Sequence, residues 1–487
     1  MVEEERSEAF KEWAITLSGL IKDSLGYTPT NDQSGAIELF AALLYPDEQY
    51  RGMVLKGYAG TGKTSLIAAL TKVAPRLGYS IVLLAPTGRA AKVLSSYTEQ
   101  VAYTIHKYIY RSYTLPTGSV GFRLQANLLK RAIFIVDEAS MIQSEEVFLP
   151  GSEVESRNLL DDLIRFVKYG KGCRLLISGD SAQLPPVGSE DTLALSVDTL
   201  SEFSEWPFLS YEMTEVVRQA KQSGILFNAT VLREKITSEE TLLPFFNIHR
   251  FADFQMPDAG DFYDLFSNAF HHKDSSHAVV ICRSNKRANL YNNQIRGRIL
   301  CREEELSAGD RLMVVKNNYY WLPSDSAAGF IANGDIIEIK RIQRIVTLYS
   351  LKFAIVEISL PDFDIENLET ILLLDTLGSE SAALTQSESR RFFEEVMQDY
   401  ADVPNRRKRV QKVKEDKWFN ALQVKFAYAL TCHKTQGGQW SNVFIDAPYN
   451  PENQFTVGDL KWFYTAITRA TKQVWLAGFG KEYFFDS

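Results

Sequence analysis

The residues best equipped for chemistry are Gly57, Gly60, Thr61, Gly62, Lys63 and Thr64, in the run Gly57-Tyr58-Ala59-Gly60-Thr61-Gly62-Lys63-Thr64. The spacing GxxxxGKT is that of a phosphate-binding loop, whose glycines let successive backbone N–H groups turn toward an anion. An apolar run, Met53-Val54-Leu55, precedes it, and Leu66, Ile67, Ala69, Leu70 and Val73 follow at helical spacing. Strand, loop and helix therefore come in the order that aims the unpaired N–H groups and dipole of a helix N-terminus at a phosphate. In this arrangement Lys63 reaches the outer phosphates of ATP and the Thr64 hydroxyl is a ligand for Mg²⁺.

Further groups stand where a parallel sheet would bring them together. Short apolar strands are expected at 80–85, 132–136 and 174–177, and each runs into a polar cluster. The clusters are Pro86-Thr87-Gly88-Arg89, Asp137-Glu138-Ala139-Ser140, and Ser178-Gly179-Asp180-Ser181-Ala182-Gln183. Open parallel sheets bind ligands at the carboxyl ends of their strands, so the three clusters should line one rim. There Asp137 suits Mg²⁺ and Glu138 suits deprotonation of an attacking water. Gln183 is a neutral group able to report on the γ-phosphate. Upstream, Gln33 has two readings: it completes a capping box with Thr30, or its amide reads the edge of adenine.

The second half repeats the grammar of strand and helix without a phosphate loop. Strands are expected at 278–281, 443–445 and 474–476, with a helix from Asn285 to Leu300. Between them, Thr431-Cys432-His433-Lys434-Thr435-Gln436-Gly437-Gly438 is polar and Gly-rich, and Tyr464-Thr465-Ala466-Ile467-Thr468-Arg469 ends a helix on an arginine. A transferring phosphoryl group needs positive charge, which Arg469 or Arg218 could supply from a neighbouring domain as a cleft closes.

Two insertions interrupt this plan. Residues 107–125 read as a β-hairpin around Pro116-Thr117-Gly118-Ser119, and residues 331–420 as a small β-rich domain with a charged helical excursion over 376–418. Within the excursion, Arg406-Arg407-Lys408-Arg409 with Lys412 and Lys414 is either a solvated helix face or a contact for a nucleic-acid backbone.

Composition narrows the class. A chain of 487 residues exceeds one ordinary core, and its net charge of −8 disfavours bulk coating of nucleic acid while permitting a local cleft. The start, Met1-Val2-Glu3-Glu4-Glu5-Arg6, lacks an export signal and no run is long enough for a membrane helix, so a cytoplasmic location is expected. Cys173, Cys282, Cys301 and Cys432 are scattered, without zinc or disulfide spacing.

From Gln33 to Arg469 the ordered motifs resemble those of a superfamily 1 helicase of the RecD/Dda type. The resemblance implies an α/β fold with two RecA-like parallel-sheet domains around ATP. These are expected at 1–214 and at 215–330 with 421–487; the hairpin is the duplex-splitting pin and 331–420 a small β-barrel of the Src-homology kind. It makes Gln33 the adenine reader, Asp137 and Glu138 the metal and water carboxylates, Gln183 the coupling glutamine, and Arg218 and Arg469 the arginines that meet the γ-phosphate. Its strand-binding stretches are similar to Pro86, Thr87 and Arg89; to Thr104 and His106; and to Thr431, His433, Lys434 and Gln436. The expected activity is ATP-driven movement on single-stranded DNA, 5′ to 3′ by resemblance, with unwinding at single-strand/duplex junctions. DNA is the expected strand rather than RNA. The competing classes are a small-molecule kinase, which needs no second arginine-bearing domain, and a nucleic-acid-binding protein that senses ATP without unwinding.

Overall fold

The computed structural model describes all residues except Met1, 47–48, 115–119, 145–146, 149–155, Glu190, 217–222, 240–244, 272–276, 324–325, 327–329, Asp364, 451–453 and 485–487. Six strands form the first sheet, in the order Phe208–Met213, Gly52–Gly57, Arg174–Gly179, Ala132–Val136, Ser80–Ala85, Ala102–Thr104, and every pairing is parallel. Alternation along a strand sends successive side chains to opposite faces, so each strand feeds two cores. Phe134 and Val136 pack with Val54 and Ile177 under the helix Leu159–Tyr169, whereas Ile133 and Ile135 pack with Met53, Leu55 and Leu176. That second face is covered by Lys63–Val73, by Asn31–Leu44 and by the N-terminal helix Val2–Leu25. Leu17 and Ile21 bury the last of these, and Trp13 Nε1 donates to the Ala41 carbonyl at 3.0 Å.

A second sheet is also wholly parallel, with the order Phe254–Gln255, Ala470–Ala477, Trp440–Asp446, Ala278–Cys282, Ala429–Thr431. The expected helix at Asn285 runs to Gln294 and continues through a wider turn, Ile295–Ile299. Helix Val457–Ile467 packs on this sheet and leads directly into strand Ala470–Ala477.

Inserted along the chain between strands Ala278–Cys282 and Ala429–Thr431 is a closed five-stranded barrel of Arg311–Val314, Ile336–Leu348, Leu351–Leu360, Ile365–Leu373 and Leu422–Phe426. Its first and last strands lie outside the expected limits of 331 and 420. The boundaries therefore move outward to 311 and 426, because Arg311–Val314 pairs with both Ile336–Leu348 and Leu422–Phe426 to close the cylinder. The charged excursion is a packed appendage of this barrel. Its helices Gln386–Asp399 and Arg406–Lys414 bury Phe392, Val396 and Val413 against Phe353 and Ile355 of the barrel wall. Burying Val410 and Val413 turns Arg406, Lys408 and Lys412 to solvent.

The hairpin is present where the turn residues place it. Tyr110–Thr114 pairs antiparallel with Val120–Leu124, from Tyr110 opposite Leu124 to Thr114 opposite Val120, and the Pro116-to-Ser119 turn lies outside the described residues. Residues 107–109 belong instead to a short helix, Ile105–Ile109.

Candidate functional site

The phosphate loop leaves strand Gly52–Gly57 and enters helix Lys63–Val73 through Gly60 and Gly62, whose φ angles are +80° and +88°. These left-handed values are open to glycine at little cost, and at Gly62 they start the helix without a side-chain cap. Thr61 is buried and its hydroxyl donates to the Tyr58 carbonyl at 2.9 Å. Lys63 folds back over the loop, its ammonium 2.5 Å from the Gly57 carbonyl and 3.1 Å from that of Tyr58.

The three other clusters lie at the carboxyl ends of neighbouring strands, as parallel order requires. Asp137 follows Ala132–Val136 and its carboxyl is pushed up to about 6, first by burial and then by the charge of Glu138, against the opposing pull of the Ser178 hydroxyl and Lys63. A cation placed beside this carboxyl would favour its ionised form. Glu138 adopts φ +53°, a left-handed conformation unfavourable for a side-chain residue and typical of functional turns. The Gln183 side chain is buried, and among the described residues its carbonyl oxygen has no hydrogen-bond partner. An unsatisfied buried acceptor at the rim of a phosphate loop fits a ligand-facing role.

Gln33 forms the capping box: its backbone N–H donates to Thr30 Oγ1 at 3.2 Å, and its Oε1 accepts the Thr30 N–H at 3.1 Å. Its Nε2 donates to the carbonyl of Thr61 at 3.2 Å, tying the cap to the phosphate loop. Both ends of the amide are thus engaged by the chain itself. Arg469 is almost fully buried at 5% exposure, with Nε on the Thr465 carbonyl at 3.1 Å and Nη1 on the Gly438 carbonyl at 3.4 Å. Arg218 lies outside the described residues.

The expected strand-binding residues fall into two groups. Thr87 and Thr104 are N-caps: Thr87 Oγ1 accepts the Ala90 N–H at 3.2 Å, and Thr104 Oγ1 accepts the Lys107 N–H at 3.3 Å. Each hydroxyl keeps its own proton as a donor, beside a helix N-terminus that attracts anions. Pro86 precedes the first of these caps. His106 is pushed down to about 4 by burial, which leaves a neutral ring beside Tyr110. In the second domain Thr431 opens the short helix Cys432–Thr435. Burial lowers His433, with the charge of Arg283 adding to it, and burial lowers Lys434, which donates to Asn285 at 3.4 Å. Gln436 is turned elsewhere: its Nε2 donates to the Leu184 carbonyl of the first domain at 2.8 Å.

That bond is one of several crossing between the sheets. The Leu184 N–H donates to Thr465 Oγ1 at 2.8 Å, and the Tyr464 hydroxyl meets both Ala59 and Asp180. The Arg89 guanidinium lies 3.9 Å from the centroid of the Trp440 ring. Gly437, at φ +71°, has Ala90 so close that an added Cβ would stand 2.9 Å from the Ala90 Cβ. The barrel approaches the same rim, where an added Cβ on Gly88 would stand 2.5 Å from the Ala332 Cβ. Residue types had singled out neither Asp180, Tyr464 nor Thr465 as functional; their partners are hundreds of residues away in sequence.

An AAA domain description matches residues 33–241, covering the first sheet, and a UvrD-like helicase C-terminal domain description matches residues 426–477, covering most of the second. The first sheet is thus similar to an AAA domain and the second to a helicase C-terminal domain, in the order in which their motifs follow one another along the sequence. It is 32% identical over 201 residues to the ATP-dependent RecD2 DNA helicase of Deinococcus radiodurans, over 41% of this chain and 24% of that protein. It is 30% identical over 178 residues to the ATP-dependent DNA helicase dda of Enterobacteria phage T4, over 35% of this chain and 36% of that one. An uncharacterised protein of Acanthamoeba polyphaga mimivirus is 23% identical over 489 residues, covering 86% of this chain and 94% of that protein. The matches to RecD2 and dda thus span about a quarter and about a third of those helicases.

Proposed function

We propose that the chain is an ATP-driven motor that moves along single-stranded DNA, 5′ to 3′, and separates the duplex ahead of it. The observation that carries this reading is the seam between the two sheets. Leu184, one residue after Gln183, is held on its N–H by Thr465 and on its carbonyl by Gln436. The rim that would handle the γ-phosphate and the Gly-rich stretch expected at the strand are therefore joined through one residue. A kinase for small molecules needs no link from its phosphate site to a strand-binding stretch.

In this reading the loop N–H groups and Lys63 receive the phosphates, while Glu138 takes a proton from the attacking water. Mg²⁺ would be held by Thr64 and Asp137, and it supplies charge neutralisation on the transferring group. One carboxylate and one hydroxyl suit an ion that keeps several waters and substrate oxygens. Arg469, with Arg218, would turn from its own domain to the γ-phosphate as the cleft closes. Loss of that phosphate would release the closure, and Gln183 would pass the change to Leu184 and so to the second domain. Alternating grip by Arg89, Thr87 and Thr104 on one side and Thr431, His433 and Lys434 on the other turns the cycle into movement.

The test is steady-state ATP hydrolysis with Mg²⁺, with and without a single-stranded DNA oligonucleotide, beside Lys63→Ala. Strong stimulation that Lys63→Ala reduces by about a hundredfold or more is expected. Hydrolysis indifferent to DNA would overturn the motor. Unwinding of 5′-tailed but not 3′-tailed duplexes is expected next, and the reverse preference would overturn the polarity.

A further inference from the structure

One oxygen of the second domain reaches into the phosphate loop. The Tyr464 hydroxyl accepts the N–H of Ala59 at 2.9 Å and donates to Asp180 Oδ2 at 2.6 Å. Ala59 is the third residue of the GxxxxGKT run, and Asp180 opens the turn that closes on Gln183 through the Gln183 N–H and the Asp180 carbonyl, 3.3 Å apart. The other Asp180 oxygen is fixed by the Ala182 N–H at 3.0 Å. Tyr464 and Asp180 are each 1% exposed, so neither group has water as a substitute partner.

The hydroxyl is not there merely to satisfy a core tyrosine. Its ring already packs in the apolar cluster of the second domain with Phe463 and Leu460, and the next residue, Thr465, holds Leu184. Helix Val457–Ile467 thus presents two consecutive hydroxyls to the first domain, one to the phosphate loop and Asp180, the other to the segment after Gln183. Arg469, just beyond the helix, bonds back to the Thr465 carbonyl. Any displacement of this helix against the first sheet must break or remake the Tyr464 bonds and carry Arg469 with it. As long as the groups stay buried, losing these bonds leaves each partner unsatisfied, which favours the docked placement of the helix.

We propose that Tyr464 is a positioning residue for hydrolysis. Its hydroxyl, through Ala59 and Asp180, couples the geometry of the phosphate loop to the placement of the helix that ends on Arg469. This inference rests on the motor reading above. The loop donor that Tyr464 takes belongs to the set that would receive phosphate, so nucleotide and the second domain act on the same few backbone groups.

Tyr464→Phe keeps the ring and deletes only the hydroxyl; Asp180→Asn deletes the charge of its partner. In the full chain each should lower the DNA-stimulated kcat by about tenfold, with the KM for ATP moving less than about threefold, as expected when coupling rather than ground-state binding is lost. The double variant should be no slower than the slower single one, because the two groups act as one unit. A wild-type stimulated kcat in Tyr464→Phe, losses that multiply in the double variant, or a KM that rises in step with a falling Tm would each overturn the inference. A second readout stands apart from DNA stimulation. Addition of ATP should change the fluorescence of buried Trp462, two residues from Tyr464, and Tyr464→Phe should abolish the change, tested against Trp462→Phe. If DNA fails to stimulate the native chain, the motor reading falls, while a response that survives Tyr464→Phe overturns the positioning role by itself.

Discussion

Arg89 lies over the ring of Trp440 across the boundary between the two parallel sheets, its guanidinium carbon 3.9 Å from the ring centroid. The same side chain passes so close to Gly438 that an added Cβ there would stand 2.5 Å from Arg89 Nε. An arginine expected to grip a strand is therefore also a joint between domains, and the two roles can be separated by chemistry. A lysine keeps the charge but cannot stack as a plane.

Arg89→Ala should weaken binding of a single-stranded oligonucleotide about tenfold. If stacking sets the orientation, Arg89→Lys should be nearly as weak and Trp440→Phe should retain most of the affinity, read by fluorescence anisotropy. Full rescue by lysine would show that only charge matters and that the stack on Trp440 is incidental.

The hairpin gives a prediction of a different kind. Its base is anchored independently of its tip: Gln125 Nε2 donates to the Tyr110 carbonyl at 2.9 Å, and the Tyr110 hydroxyl donates to Asp162 at 2.7 Å. Replacing 111–122 by a short Gly/Ser turn leaves those anchors in place. It should abolish strand separation while DNA-stimulated hydrolysis stays largely intact. Loss of both activities would assign the hairpin to strand binding or to the fold.

The parts of the site legible in the sequence are those written locally. Glycine spacing, a strand before and a helix after identify the phosphate loop, and polar clusters at the ends of apolar strands identify the rim. The barrel was half legible. Its long hairpin turns at Tyr349 and Ser350, both at positive φ, with neither Gly nor Asn to announce a two-residue turn. Its first strand, Arg311–Val314, is a short run that gains its identity only by pairing with Leu422–Phe426, more than a hundred residues later. The same holds for the seam: the partners Asp180 and Tyr464 are 284 residues apart, and Leu184 and Thr465 are 281 apart. Residue type alone gives a buried tyrosine no reason to be more than core.

His106 carries a pH signature. Burial pushes its imidazole from the ordinary 6.5 down to about 4. Between those values the unfolded chain takes up a proton that the folded chain refuses, so stability falls as pH drops through the window and is unaffected above it. His106→Gln should remove this contribution, so that between pH 7 and pH 5 the variant loses less Tm than the native chain. A difference in Tm that is constant across that range would show that His106 is not held neutral by the fold.

Gln33 offers the clearest division between structure and recognition. Its amide completes the Thr30 capping box and reaches the Thr61 carbonyl, so it is held by groups of the chain itself. Gln33→Ala keeps the bond from its own N–H to Thr30 Oγ1 and loses the side-chain bonds to Thr30 and Thr61, each worth about 1 kcal/mol, so the Tm should fall accordingly. If that is its whole role, the KM values for ATP and GTP should change by the same factor, because a loosened phosphate loop does not distinguish bases. If the amide also reads adenine, it must release one of these bonds when nucleotide enters, and the preference for ATP over GTP should collapse in Gln33→Ala. Gln33→Glu sharpens the comparison: the carboxylate still accepts the Thr30 N–H but cannot donate to Thr61 or to a base. A variant with a normal Tm and lost ATP preference would assign adenine reading to Nε2, whereas a preference unchanged in both variants would leave Gln33 as the brace between the cap and the phosphate loop.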